Sequence, residues 1–164
     1  VIILGVDPGI QHTGWAVLNN KKVMAVGTLE PPDGLRPVEA VMSWLLPKLK
    51  EVITDIKIDA AVVEQVAWYG RARRITLPLS HISGMIVGFL AGSGIDTFLI
   101  LASMRKKERT KASWDEHQKD AVNLARVGLE YLNAEAAEDL SLLKKRSAVG
   151  RRRIIAPANA RIKE

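Results

Sequence analysis

The sequence predicts an α/β fold in which one mixed five-stranded sheet is flanked by helices. Three observations predict it. Two short apolar runs, Val1 to Val6 and Ala60 to Val63, have the length and composition of buried strands. Two strand-like segments, Thr13 to Leu18 and Val23 to Leu29, are joined by Asn19-Asn20-Lys21-Lys22, whose asparagines tolerate positive φ and so favour a hairpin. Beyond the breaker Pro31-Pro32-Asp33-Gly34, helical and strand-like periods alternate. At 164 residues, 48% of them apolar, the chain has the length of one domain and material for a sizeable core.

Taken in order, the first strand ends at Asp7, which opens a Pro-Gly turn, and the hairpin adds two more strands to make a meander. A helix should follow from about Arg36, with Pro37 in its first turn. Val38, Val41, Leu45, Leu49, Val52 and Ile53 keep a helical period, and Pro47 should kink or break it. Ala60 to Glu64 is the fourth strand, parallel to the first because a helix precedes it. Gln65 to Thr76 reads as an exposed loop. Leu77 to about Ala91 is a second helix, apolar over much of its surface, ended by Gly92-Ser93-Gly94. Thr97 to Leu101 is the fifth strand, Ser103 to Ser113 a basic loop, Asp115 to Leu132 a third helix and Ala134 to Arg146 a fourth. This order is the ribonuclease H-like arrangement. It makes residues 1–146 one domain and residues 147–164 a basic C-terminal tail.

Cysteine is absent, which excludes disulfides and thiolate-ligated zinc and fits a reducing cytoplasm. No segment has the length of a membrane span and no secretory leader is visible. The net charge of +6 is unevenly placed. Basic and acidic residues balance up to residue 138, so the excess lies beyond it, in Lys144, Lys145, Arg146, Arg151, Arg152, Arg153, Arg161 and Lys163. Such a cluster either binds a polyanion, releasing its counterions, or is a solvated tail.

Asp7, Glu64, His117 and Asp120 are the candidate catalytic and metal-binding residues. Asp7 and Glu64 each end an apolar strand, and two parallel neighbours would set them side by side. His117 and Asp120 are three apart, so both leave one helix face. A carboxylate at a buried strand end needs a partner, and a cluster of them needs a cation. Phosphodiester hydrolysis uses two divalent ions about 3.5–4 Å apart, one for the attacking and one for the leaving oxygen. Magnesium suits such a set of oxygen donors. Asp7 is the candidate bridge between the two ions, Asp120 the further carboxylate, and His117 a ligand or the proton acceptor. Read singly, Asp7 is also a turn-forming residue and His117 an ordinary exposed histidine; Asp115 and Glu116 read as helix caps.

The blocks Val1-Ile-Ile-Leu-Gly-Val-Asp7-Pro-Gly9, Thr13-Gly14-Trp15-Ala16-Val17, Val62-Val63-Glu64-Gln65-Val66 and His117-Gln-Lys-Asp120-Ala121 resemble the RuvC family of Holliday junction resolvases over residues 1–132. The resemblance implies a ribonuclease H-like fold and a homodimer that nicks two opposed strands of a four-way DNA junction. It implies 5′-phosphate and 3′-hydroxyl products and two ions of Mg2+ (or Mn2+) per site. Family members carry Asp or His at the position of His117. A compact, tail-bearing chain of this kind would be a phage-type member. The loop after Glu64 holds Trp68 and Tyr69, then Arg71, Arg73 and Arg74; in the family this loop carries an aromatic that enters the junction. Trp68 either stacks on an unpaired base or packs on the core. Arg105, Lys106, Lys107 and Lys111 form a second basic segment, shorter than its family counterpart, and a second set of candidate DNA contacts. Gly84 and Gly88 lie four apart on the second helix, which lines the dimer interface in the family. They serve either that interface or close packing on the chain's own sheet.

Three other functions fit parts of the pattern. An actin-like ATP-binding domain shares the sheet and the Asp-Pro-Gly turn, but needs two lobes where this chain has length for one. A branched-DNA binder without catalysis would not need all four candidate ligands. A ribonuclease H-like nuclease of broader branched-DNA specificity, cutting flaps or forks, shares the same metal site and is the principal alternative.

Overall fold

The computed structural model describes residues 1–66, 73–101 and 113–136. Five strands form one sheet in the order β3-β2-β1-β4-β5. These are β1 (Ile2–Asp7), β2 (Thr13–Asn19), β3 (Lys22–Leu29), β4 (Ala60–Gln65) and β5 (Asp96–Leu101). The first three make the expected antiparallel meander, while β4 runs parallel to both β1 and β5. The hairpin turn holds Asn20 at φ 50°, the left-handed conformation that asparagine tolerates better than most side chains.

The apolar runs are unbroken because both sheet faces are covered. Successive strand residues point to opposite faces. Leu4, Val6, Val17, Ala61 and Val63 pack on one side with α1 (Val38–Thr54) and α2 (Arg73–Gly92). Ile3, Ala16, Leu18, Ala60 and Val62 pack on the other with α3 (Glu116–Ala136). Among the described residues no helix is long and apolar enough to cross a membrane.

Three boundaries differ from the sequence expectation. Helix α1 runs through Pro47 to Thr54 without ending. A mid-helix proline costs about 3 kcal/mol, but Leu45 and Leu49 on either side of it are essentially fully buried, and their packing holds the helix together. Helix α2 begins at Arg73, inside the expected loop, and Pro78 sits in its second turn. Buried Thr76 extends the inward stripe of Ile82, Ser83, Ile86 and Leu90, so packing again sets the boundary. Helix α3 passes the expected break after Leu132 because Ala134 is buried and Asn133 is exposed, where it costs the helix little. The remainder of the expected fourth helix and the tail 147–164 lie outside the described residues.

Candidate active site

The central strand β1 delivers Asp7 to its C-terminal end. In the parallel ladder Val6 pairs with Val63, so Glu64 follows beside Asp7 on the neighbouring strand. Val6 and Val63 both face α1 and α2. Strand alternation therefore turns Asp7 and Glu64 to the other face, the one that α3 covers. The Glu64 carbonyl accepts a hydrogen bond from the buried hydroxyl of Ser83 at 2.8 Å, which ties the strand end to α2. Its carboxylate oxygen Oε2 is buried.

Glycines let α3 approach this face closely. A Cβ at Gly5 would run into the Ala121 carbonyl and come within 2.8 Å of the Ala125 amide. One at Gly14 would collide with the backbone of His117. With both positions bare, the first turn of α3 lies directly on β2, and His117 Nδ1 reaches Asp7 Oδ2 at 2.9 Å. The Asp7 side chain is 13% exposed and that of His117 is 42% exposed. An ionised carboxylate only accepts, so Nδ1 carries the proton in this contact and Nε2 is the remaining ring nitrogen.

The start of α3 is fixed independently. The Asp115 carboxylate accepts the Gln118 amide at 2.7 Å, and Gln118 Oε1 accepts the Asp115 amide at 3.3 Å, a reciprocal capping box. The other Asp115 oxygen accepts the Thr28 hydroxyl at 2.7 Å, pinning the helix to β3. Burial alone would raise the Asp115 carboxyl. The hydrogen bonds from Thr28 and Gln118, with the charge and amide of His117, outweigh it and hold the group below the usual carboxylate range. Asp115 is thus a cap, as its position suggested. Glu116 follows it and pairs with Lys119 at 2.9 Å.

The turn between Asp7 and β2 is closed by Thr13, which is buried. Its hydroxyl donates to the Gly9 carbonyl at 3.0 Å and accepts the Gly9 amide at 3.3 Å. This turn carries His12 to the other side of His117: the two rings stack with centroids 5.4 Å apart and planes 23° apart. His12 Nδ1 in turn meets Glu30 Oε1 at 3.3 Å. His12, Glu30 and His117 line one cleft of about 960 Å³, walled also by Arg36, Pro78 and Leu79.

Of the four candidate residues, Asp7 and His117 are brought into contact. Asp120 lies one turn further along α3, three residues from His117. Among the described residues, neither it nor Glu64 completes a group of three donors able to hold an ion as they stand. Like charges repel, and Asp7 turns to the histidine. The donor chemistry still fits a hard divalent cation: two carboxylates on adjacent strands and a third on the facing helix supply oxygens and no sulfur. Arg73 and Arg74 begin α2 instead of lying in a loop. Trp68, Tyr69, Arg71, Arg105, Lys106, Lys107 and Lys111 fall outside the described residues. Sequence reasoning missed His12 and Glu30 altogether. The only signal was their position beside the two turns that flank β2 and β3.

Comparison with known proteins gives the family and agrees with the fold. Residues 3–130 match the family model for the crossover junction endodeoxyribonuclease RuvC. The protein of that name from Bradyrhizobium diazoefficiens is 30% identical over 148 residues, covering 87% of this chain and 83% of that protein. Its namesake from Rhodopseudomonas palustris is 35% identical over 89 residues, covering 52% of this chain and 50% of that protein. Among solved structures, Thermus thermophilus RuvC in complex with a Holliday junction substrate aligns with a TM-score of 0.70 at 16% identity, over 81% of this chain and 95% of that one. The fowlpox virus resolvase in complex with Holliday junction DNA aligns at 0.51 and 15%, over 79% and 99%. At these identities the structures establish the ribonuclease H-like fold alone, while the sequence matches carry the kinship. The chain belongs to the RuvC family of crossover junction endodeoxyribonucleases, which are divalent-metal-dependent nucleases.

Proposed function

We propose that this chain resolves four-way DNA junctions in the cytoplasm, as a homodimer that nicks two opposed strands symmetrically and leaves 5′-phosphate and 3′-hydroxyl ends. The contact of Asp7 with His117 at the end of the central strand, with Glu64 in register on the same face, carries this reading. Asp7, Glu64, Asp120 and His117 would hold magnesium or manganese, two ions per site. Adjacent strands run about 4.8 Å apart, so rotamer changes suffice to let Asp7 and Glu64 share an ion. When bound, the ions supply charge stabilisation for the attacking and leaving oxygens. Asp7 holds the His117 ring by its Nδ1 proton, which leaves Nε2 to ligate or to take a proton from the attacking water. Residues 1–146 form the nuclease domain. Trp68, Tyr69, Arg71, Arg73, Arg74, Arg105, Lys106, Lys107 and Lys111 contact the DNA, and the basic tail 147–164 adds affinity that is independent of sequence.

The outer face of α2 supports the dimer. Leu77 and Met85 are exposed there, and a Cβ at Gly84 or Gly88 would meet nothing within 4 Å. The two glycines therefore meet no side chain within the described protomer, and the face they share with exposed Leu77, His81 and Met85 suits a second copy of the helix.

Cleavage of a labelled four-way junction, a flap and a linear duplex with magnesium tests the reading. Paired symmetric nicks in the junction, with the duplex untouched, are expected. Preference for the flap would promote the second reading, a nuclease of broader branched-DNA specificity. The short connection between β5 and α3, residues 102–115, favours that alternative.

A further inference from the structure

We propose that His12, held by Glu30, is a positioning residue that braces the His117 ring for cleavage. The inference rests on the proposed role of His117 and deepens it. An imidazole at the start of a helix, 42% exposed in its side chain, has two free torsions and one bond to Asp7. That single bond fixes the ring's edge and leaves rotation about the Nδ1 axis open. The His12 ring lies against the face of His117, 5.4 Å away and within 23° of parallel, and closes that freedom. His12 is itself 45% exposed in its side chain, and its Nδ1 lies 3.3 Å from Oε1 of Glu30, 63% exposed and just beyond β3, so Glu30 restrains it weakly. The brace therefore runs from Glu30 to His12 to His117 to Asp7. It joins the ends of β1 and β3 across the intervening turn, and Glu30, His12 and His117 share the wall of one cleft. Its role is geometric: it confines the His117 ring, and with it Nε2, to one orientation. Misplacement of a reacting group by about 1 Å costs on the order of a hundredfold in rate, so partial loss of the brace should cost about tenfold.

The test uses the full chain and has two arms. In the metal-free protein, imidazole NMR is tractable because the sequence holds three histidines, His12, His81 and His117. His12→Ala should shift the ring resonances of His117, which lose the neighbouring ring, and leave those of His81 in place. His12→Phe should keep a ring-current shift on His117 that His12→Ala loses. In the second arm, single-turnover cleavage of a four-way junction with magnesium should fall about tenfold in His12→Ala. Junction binding without divalent metal should stay within about twofold. His12→Phe should recover most of the rate, because a flat ring suffices, and Glu30→Gln should lie between. His12→Ala placed on His117→Ala should cost nothing more, since the brace acts through that ring.

Unchanged His117 resonances in His12→Ala would overturn the proposal whatever the activity. So would a Phe variant as slow as the Ala variant, or an additive loss in the double variant. A parent chain that shows the ring coupling but cuts no junction would leave the brace standing and remove the proposed function instead.

Discussion

Asp7 takes its importance from its place at the end of β1. It sits on the central strand, is 13% exposed in its side chain, and faces both the Glu64 strand end and His117. Asp7→Asn keeps the volume and an oxygen for the histidine but removes the charge that a divalent ion needs. Cleavage should fall on the order of a thousandfold, since several kcal/mol of charge stabilisation are lost, while the melting temperature changes little; a retained rate would remove Asp7 from the metal site. Asp115 has the opposite character, a structural carboxylate near the site. Replacing it with Ala should cost about 1 kcal/mol, as for other N-caps, read from denaturant unfolding at pH 7. Its folded-state pKa is depressed, so its stabilisation is present above the unfolded pKa of about 3.9 and lost as pH falls through the folded value. The gap between parent and Asp115→Ala should therefore close on acidification below about pH 4. A gap that widened there would contradict the assigned direction. At this scale the contact of Asp7 with His117 was legible, because strand ends and helix period suffice to place them. The His12 stack was not, since it depends on the course of a turn that no periodicity encodes.

Among the elements, the strands were easiest to read, and for a physical cause. Both faces of the sheet are buried, so β1 and β4 are near-continuous apolar runs. Helix ends were harder, because Pro47 and Asn133 argue locally for breaks that burial of Leu49 and Ala134 overrides. What the sequence concealed most fully is how closely α3 lies on the sheet, since a glycine in a strand does not announce the helix it admits. Gly14→Ala tests that approach. The added methyl would meet the backbone of His117, and relieving it requires the helix start to move. Overpacking of this kind costs about 1–3 kcal/mol. Leu124→Ala removes a fully buried side chain further along the same helix and should cost a similar 2–5 kcal/mol. Compared at matched fractions folded, Gly14→Ala should cut junctions at least about tenfold more slowly than Leu124→Ala, because only the former displaces the histidine. Equal rates would mean that the approach of α3 serves stability alone.

For the whole molecule, one active site cuts one strand, so paired nicks in a junction require two sites in fixed relation. The proposed seat for a second copy is the outward stripe of α2. Among the described residues, nothing fills the space that a side chain at Gly84 or Gly88 would take. Within a helix a glycine is costlier than alanine by about 1 kcal/mol, and a contact with a second helix that needs the close approach would offset that loss. The sequence showed the pair but left open which surface it served; the empty space around each Cβ position is the structural fact that decides against the chain's own sheet. Gly88→Glu should therefore leave the protomer folded and at least as stable, while setting like charges against each other wherever the two helices meet. Sedimentation in dilute solution should move from dimer to monomer. On a four-way junction the variant should replace paired cuts by single, uncoordinated nicks, visible as nicked junction accumulating before resolved duplex. A variant that still sediments as a dimer and still cuts in pairs would place the interface on another face, and the glycines of α2 would then need a different partner.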